Sequence, residues 1–228
     1  MNIDPKTLSL IASLLLAGYL SFRCWTPPNP TPLTPYRNDR IGAWVLRQHF
    51  ISGRRGFAFA FWLYYVALTL TYPQSPKLLC PCPHNLSPEH FTWSPFMAVS
   101  LGLIFVAAPI RLLAFAQLGQ NFTFQLAKPQ GLVTTGLYAY VQHPSYVTNM
   151  VVILVNVVVI LGPGGPAGCW LPSVVVEWMN VALVVMWAIA AWGLSVRVKD
   201  EEEMLKKEFG REWEVWHKKT KRFVPWVF

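Results

Sequence analysis

The chain has little charge. Of its 228 residues only 13% are Asp, Glu, Lys or Arg, while 54% are hydrophobic; soluble domains carry roughly twice that charged share. Acids are the scarcer sign, 11 against 19 basic residues. No G-x-G-x-x-G element follows a strand, which excludes a Rossmann-type dinucleotide site. No nucleophile triad, no internal repeat and no long soluble domain is visible. Metal-ligand spacing is also missing. Cys80, Cys82 and His84 stand in a proline-rich loop without the second ligand pair a zinc site needs, so a plain connection and no metal is the reading. The four cysteines do not form a disulfide framework.

What is present is apolar sequence in runs. A membrane-crossing helix needs about 20 residues, and candidate spans fall at 8–22, 57–72, 95–118, 146–161 and 170–196. The fold class that follows is all-α, a polytopic transmembrane bundle of about five spans with a C-terminal amphipathic helix on the cytosolic side. The first run differs from a signal peptide: Lys6 is its only preceding basic residue, and Arg23, Cys24, Trp25 and a proline cluster stand where small cleavage-site residues belong. It reads as a retained helix. Pro109 and Gly102 inside the third run predict a kink or a break into two shorter helices.

The net charge of +8 does not indicate nucleic acid, because the basic residues flank apolar runs; orientation and contact with anionic lipid explain them better. Arg23, Arg37, Arg40, Arg47, Arg54 and Arg55 oppose the single acid Asp39 in the first loop, and nine basic residues follow Val196. Positions 73–93 hold only Lys77, and 162–169 hold none. Lysine and arginine gather on the cytosolic side. With five spans the first loop, the third loop and the tail share that side, and the amino terminus is lumenal.

Two segments carry the chemistry. Positions 131–146, GLVTTGLYAYVQHPSY, form a polar, turn-rich, aromatic island between apolar runs, with Gly131, Gly136 and Pro144 to break helix and let backbone approach a ligand. Tyr138, Tyr140, His143 and Tyr146 add ring faces and polar tips; Tyr138 and Tyr140 alone also suit an interfacial belt. The second segment, 197–219, reads as one helix leaving the membrane. Leu205, Phe209, Trp213 and Trp216 make an apolar stripe at the helical period, and Arg197 and Glu201 extend it upward by steps of four. An i, i+4 pair is within salt-bridge reach. Interfacial amphipathy explains the tryptophans, but not an ion pair on the buried-looking face at the membrane junction.

Together the two segments resemble the signature blocks of the membrane-embedded methyltransferases that include isoprenylcysteine carboxyl methyltransferase and the phospholipid N-methyltransferases. In the first block Leu132, Val133, Thr135, Gly136, Tyr138, His143, Pro144, Ser145 and Tyr146 match, led in by Leu118, Gly119, Asn121 and Phe122. In the second, Arg197, Glu201, Glu202, Leu205, Phe209, Gly210, Trp213, Trp216 and Pro225 match. The resemblance implies an S-adenosylmethionine pocket facing the cytosol, probed by Gln130, Gly131, Leu132, Val133, Tyr138, His143, Pro144, Ser145, Tyr146 and Glu201, with Arg197 on the substrate carboxylate. It also implies residence in the endoplasmic reticulum membrane, and a division into N-terminal helices with a basic loop at 1–117 and a methyltransferase core at 118–228. Gln142 stands where arginine usually precedes the histidine, Thr148 replaces a common glycine, and Trp213 and Trp216 replace tyrosines.

The expected reaction is O-methylation of a C-terminal prenylcysteine, with membrane lipids as neighbours and prenylated protein C-termini as partners. A carboxylate acceptor is ionised at neutral pH and needs no general base, in line with the lack of an obvious one. N-methylation of a phospholipid amine, or methylation of another small lipophile, is the rival within enzymes; an ammonium acceptor wants a base and is repelled by Arg197. A structural membrane protein without cofactor is the rival outside them.

Overall fold

The computed structural model describes residues 4–30, 32, 36, 39, 40 and 48–223. Arg37, Arg47 and Pro225, which enter the charge and motif arguments above, lie outside the described residues. Among the described residues five long helices make up the bundle: α1 (Pro5–Cys24), α2 (Gln48–Thr71), α3 (Pro95–Leu118), α4 (Pro144–Leu161) and α5 (Ser173–Phe209), followed by the short α6 (Arg211–Lys219). No strand longer than an isolated bridge occurs among the described residues. Helices α1, α3, α4 and α5 are long and apolar enough to cross a membrane. Helix α2 has 24 residues, about 36 Å at 1.5 Å per residue, and carries Arg54 and Arg55 just before its apolar stretch.

Local sequence sets most of the helix boundaries. Asp4 caps α1 by accepting from Thr7 N–H at 2.9 Å, with Pro5 at the first helical position. Ser94 and Pro95 open α3 in the same way. Pro109 does not break α3, which runs as one 24-residue helix, so the expected division into two shorter helices does not occur. The expected single tail helix from 197 to 219 does not form either. Helix α5 instead carries on from the apolar run through Arg197 and Glu201 to Phe209, about 55 Å in all, well beyond a ~30 Å hydrocarbon core. It stops at Gly210, whose φ of 49° suits glycine and redirects the chain into α6.

The apolar core lies among α1, α2, α3 and α4, with Leu14, Trp62, Tyr65, Ile104 and Val152 fully enclosed. Helices α1 and α2 approach so closely at Gly18 that a Cβ there would sit 2.8 Å from Trp62 Cβ. Asn156 ties three helices together: its Oδ1 accepts from Trp62 Nε1 at 2.8 Å, and its Nδ2 donates to Ser21 Oγ at 2.9 Å. Satisfied polar links of this kind are how buried amides are tolerated in an apolar bundle. Helix α5 stands at the periphery, where Val174, Trp178, Val181 and Val184 face outward as lipid would require.

Successive connections alternate between the two ends. At one end Cys80 is disulfide-bonded to Cys169 and Ser87 N–H donates to Gly164 O at 3.0 Å, while Trp93 Nε1 donates to Ser9 Oγ near the start of α1. The expectation of no disulfide framework did not foresee this single bridge: positions 89 apart in sequence meet because the second and fourth loops share that end. It also removes Cys80 from any metal role. At the other end the first loop, the third loop and the tail converge, and there lies the cavity.

Candidate functional site

A cavity of about 920 Å³ opens among α3, α4, α5 and the 119–143 loop, near the upper end of the usual range for small-molecule sites. Of the site residues expected from sequence, Gly131, Leu132, Val133, Tyr138, His143, Ser145, Tyr146, Arg197 and Glu201 line it. Gln130 and Pro144 lie off the lining. Gln130 N–H donates to Asn121 Oδ1 at 2.8 Å, and Pro144 is spent on opening α4. Residues 51 to 70 positions apart in sequence therefore meet at one surface.

The polar wall is a linked set of side chains. Tyr146 hydroxyl donates to Glu201 Oε2 at 2.5 Å and accepts from Arg197 Nε at 3.1 Å. Arg197 and Glu201 are thus bridged by a phenol, and the direct i, i+4 pair expected from spacing is replaced. Arg197 pairs through Nη1 with Asp39 at 2.5 Å and donates through Nη2 to Phe124 O at 2.8 Å. Asp39 also accepts from Leu126 N–H at 2.8 Å. One residue on, Arg40 pairs with the buried carboxylate of Asp200. Two oppositely oriented ion pairs, Asp39 with Arg197 and Arg40 with Asp200, thus strap the first loop across α5.

His143 is buried with its ring between two carboxylates. Its Nδ1 is 4.0 Å from Glu201 Oε2 and its Nε2 is 3.5 Å from Glu202 Oε1. Glu202 is held in turn by a two-pronged contact from Arg222, 2.8 Å through both Nε and Nη2. The backbone supports the same arrangement: Gln142 N–H donates to Lys221 O at 2.7 Å and His143 N–H to Arg222 O at 3.0 Å, a short extended pairing of island and tail. Gln142, the departure from the expected arginine, uses its amide for this junction. Its Nε2 donates to Thr220 Oγ1 at 3.0 Å and its Oε1 faces His217 Nδ1 at 2.9 Å. Burial holds the His217 imidazole below its ordinary pKa. Thr148, the other small departure, bonds back to Pro144 O at 2.9 Å within the first turn of α4.

Behind the polar wall Trp213 and Trp216 pack with Tyr138 and Ala114, against Leu132, Val133, Leu205 and Phe209. The stripe read along one helix therefore does meet at one cluster, although Gly210 divides it between α5 and α6. Trp216 Nε1 donates to Tyr138 O at 2.8 Å, and burial raises the Tyr138 phenol well above its ordinary range, so it stays neutral. On the far wall Met150 and Ile153 of α4 and Ile189, Ala190 and Trp192 of α5 make an apolar lining.

Two lining or supporting residues are not singled out by the sequence reading. Asp39 carries a faint signal, as the one acid of a basic loop. Arg111 carries a plain one: an arginine inside a 24-residue apolar helix marks function by default.

Helices long and apolar enough to cross a membrane, with a cavity at one end that is polar on one wall and apolar on the other, define the class as multi-pass membrane proteins. Within that class the comparisons narrow the field. Residues 100–207 match the isoprenylcysteine carboxyl methyltransferase (ICMT) family, a range that takes in the first signature block and the second as far as Leu205. A protein-S-isoprenylcysteine O-methyltransferase of Schizosaccharomyces pombe (strain 972 / ATCC 24843) is 28% identical over 143 residues, 60% of this chain. The match spans about half of that relative, 53% of its length.

Proposed function

We propose that the chain is an S-adenosylmethionine-dependent methyltransferase that methylates the C-terminal carboxylate of prenylated cysteine at the cytosolic face of the endoplasmic reticulum membrane. The observation that carries this reading is the convergence of both signature blocks on one cavity whose two walls differ in polarity. An isoprenyl chain suits the apolar wall of Met150, Ile153, Ile189 and Trp192, reached from the lipid side past peripheral α5. The cofactor suits the other wall, where the Glu201 carboxylate faces the cavity beside the aromatic faces of Tyr138 and Tyr146. A sulfonium cation and an ammonium group are what a carboxylate and ring faces attract.

Gly131, Leu132, Val133, Tyr138, His143, Ser145, Tyr146 and Glu201 would hold S-adenosylmethionine, with Gln130 and Pro144 shaping the backbone around them. Bound there, the cofactor supplies an already activated methyl group, so the protein's part is positioning and electrostatics. Arg197 fixes the Tyr146 hydroxyl that orients Glu201 and presents a cation to the acceptor carboxylate. The strap of Asp39 and Arg40 and the aromatic cluster under Tyr138 exclude water. No side chain needs to remove a proton from an ionised acceptor.

Sidedness has two supports. The cavity end collects the basic first loop and tail, the pattern of a cytosolic face. The opposite end carries the Cys80–Cys169 bridge, suited to an oxidising lumen. The test is methyl transfer from labelled S-adenosylmethionine by the purified protein to N-acetyl-S-farnesylcysteine and to phosphatidylethanolamine. The reading expects the first to be methylated. Labelling of the phospholipid alone would replace it with the lipid-amine reaction.

A further inference from the structure

The cavity contains a buried cation that the reading above leaves without a task. Arg111 projects from α3 and is only 5% exposed. Its Nε donates to Cys24 O at 3.0 Å, and its Nη1 donates to the carbonyl and hydroxyl of Ser145 at 2.6 and 2.8 Å. The guanidinium lies 4.6 Å from the Phe115 ring centre. Every one of these partners is neutral. Nη2 has no acceptor among the described residues.

Arg111 also has no counter-charge among the described residues. All 11 acidic side chains of the sequence lie among the described residues, and none pairs with Arg111. The other paired arginines on the cavity wall differ in this respect: Arg197 has Asp39 and Arg40 has Asp200. A guanidinium cannot shed its proton at any physiological pH, and a buried charge without an opposite charge is costly. Carbonyl dipoles from Cys24 and Ser145 offset part of that cost. An anion entering from the cavity, which Arg111 lines together with Ser145 and Tyr146, would meet the remainder.

We propose that Arg111 is the anchor for a ligand carboxylate in this cavity, contributed by the acceptor or by the amino-acid end of the cofactor. The inference rests on the methyltransferase reading, in which two carboxylates enter one site. Arg197 has its charge matched by Asp39 and its Nε and Nη2 engaged, so it offers less net attraction to a second anion. Arg111, fixed by Nε and Nη1 in a rigid plane, has both its charge and its Nη2 edge available.

The test is isothermal titration of the full chain in detergent with two matched pairs of probes. One pair is N-acetyl-S-farnesylcysteine and its carboxamide; the other is S-adenosylhomocysteine and its decarboxylated analogue. Wild-type protein should prefer the carboxylate member of at least one pair, by on the order of 10- to 100-fold for a charge-assisted contact. Arg111→Gln should bring that preference close to one, and Arg111→Lys should retain part of it. Collapse in the farnesylcysteine pair assigns the carboxylate to the acceptor, and collapse in the nucleoside pair assigns it to the cofactor. Undiminished preference in a folded Arg111→Gln variant overturns the proposal. Arg111 also fastens α1 to α4, so if the glutamine variant does not fold, Arg111→Lys decides by the same criterion. Wild-type protein that binds both classes with no carboxylate preference overturns it without any variant. Wild-type protein that binds neither class overturns the methyltransferase reading itself.

Discussion

Replacing Asp39 by alanine removes the inner half of the strap that holds the first loop over α5. The carboxylate is 1% exposed and the guanidinium it meets is 8% exposed, so water cannot screen the loss. Alanine leaves Arg197 buried with a phenol and a carbonyl as its hydrogen-bond partners among the described residues, and it strips Leu126 N–H of its acceptor. Removing one member of a buried pair costs about 3–5 kcal/mol. For a chain of this size that corresponds to a fall in melting temperature of roughly 6–20 °C. Tryptophan fluorescence melting in detergent reads it directly. An internal comparison comes from Lys128 and Glu208, an ion pair whose lysine is 73% exposed; Lys128→Ala should cost within about 1 kcal/mol. A double-mutant cycle of Asp39→Ala with Arg197→Met should show coupling above about 1.5 kcal/mol, because removing both charges orphans neither. Melting of Asp39→Ala within 2 °C of wild type, or additive losses in the cycle, would refute the buried-pair argument.

Arg197→Lys keeps the charge but loses the planar fork that reaches Asp39, Tyr146 and Phe124 together; it should lower turnover more than S-adenosylmethionine affinity, and the reverse split in titration and kinetics would place Arg197 on the cofactor side. Cysteine-accessibility mapping should find residues near Lys128 and Lys218 on one face of the membrane, and labelling from opposite faces would break the alternation of ends. His217 titrates below its ordinary pKa in the fold, so the unfolded chain takes up its proton first. The stability that the neutral ring contributes is therefore complete above about pH 6.5 and is lost as pH falls below it. Melting curves at pH 7.5 and 5.5 should differ more for wild type than for His217→Gln, and equal differences would deny His217 any part in the junction.

How far the sequence disclosed this arrangement depended on whether a signal was local. The bounds of helix α3 were legible to the residue, though the break expected at Pro109 is absent: Ser94 and Pro95 open it and Gly119 closes it with a positive φ. The end of α5 was not, since hydropathy falls at Arg197 while helix propensity does not: lysine, glutamate, methionine and leucine carry the helix on to Phe209. The stripe of Leu205, Phe209, Trp213 and Trp216 survived that error, because a glycine bend kept both pieces against Tyr138. Pairing of Cys80 with Cys169 was hidden by their separation and by the nearer distraction of Cys82. The strap was hidden for a similar reason: Asp39 meets Arg197, and Arg40 meets Asp200, across about 160 positions. Arg111 was readable as a charge out of place, and only the cavity shows what surrounds it.

The central claim is that the island and the end of α5 form one cofactor site. Titration of S-adenosylmethionine into wild type, Glu201→Gln and His143→Ala, each with its melting curve, tests that most directly. Glu201 offers a charge to the cofactor from the cavity wall, so its loss should weaken binding by about 1.5–3 kcal/mol in a protein that remains folded. His143, set between Glu201 and Glu202, acts more through orientation, and its loss should weaken binding by less. Wild-type affinity in both well-folded variants, or losses that only follow the unfolded fraction, would contradict the account.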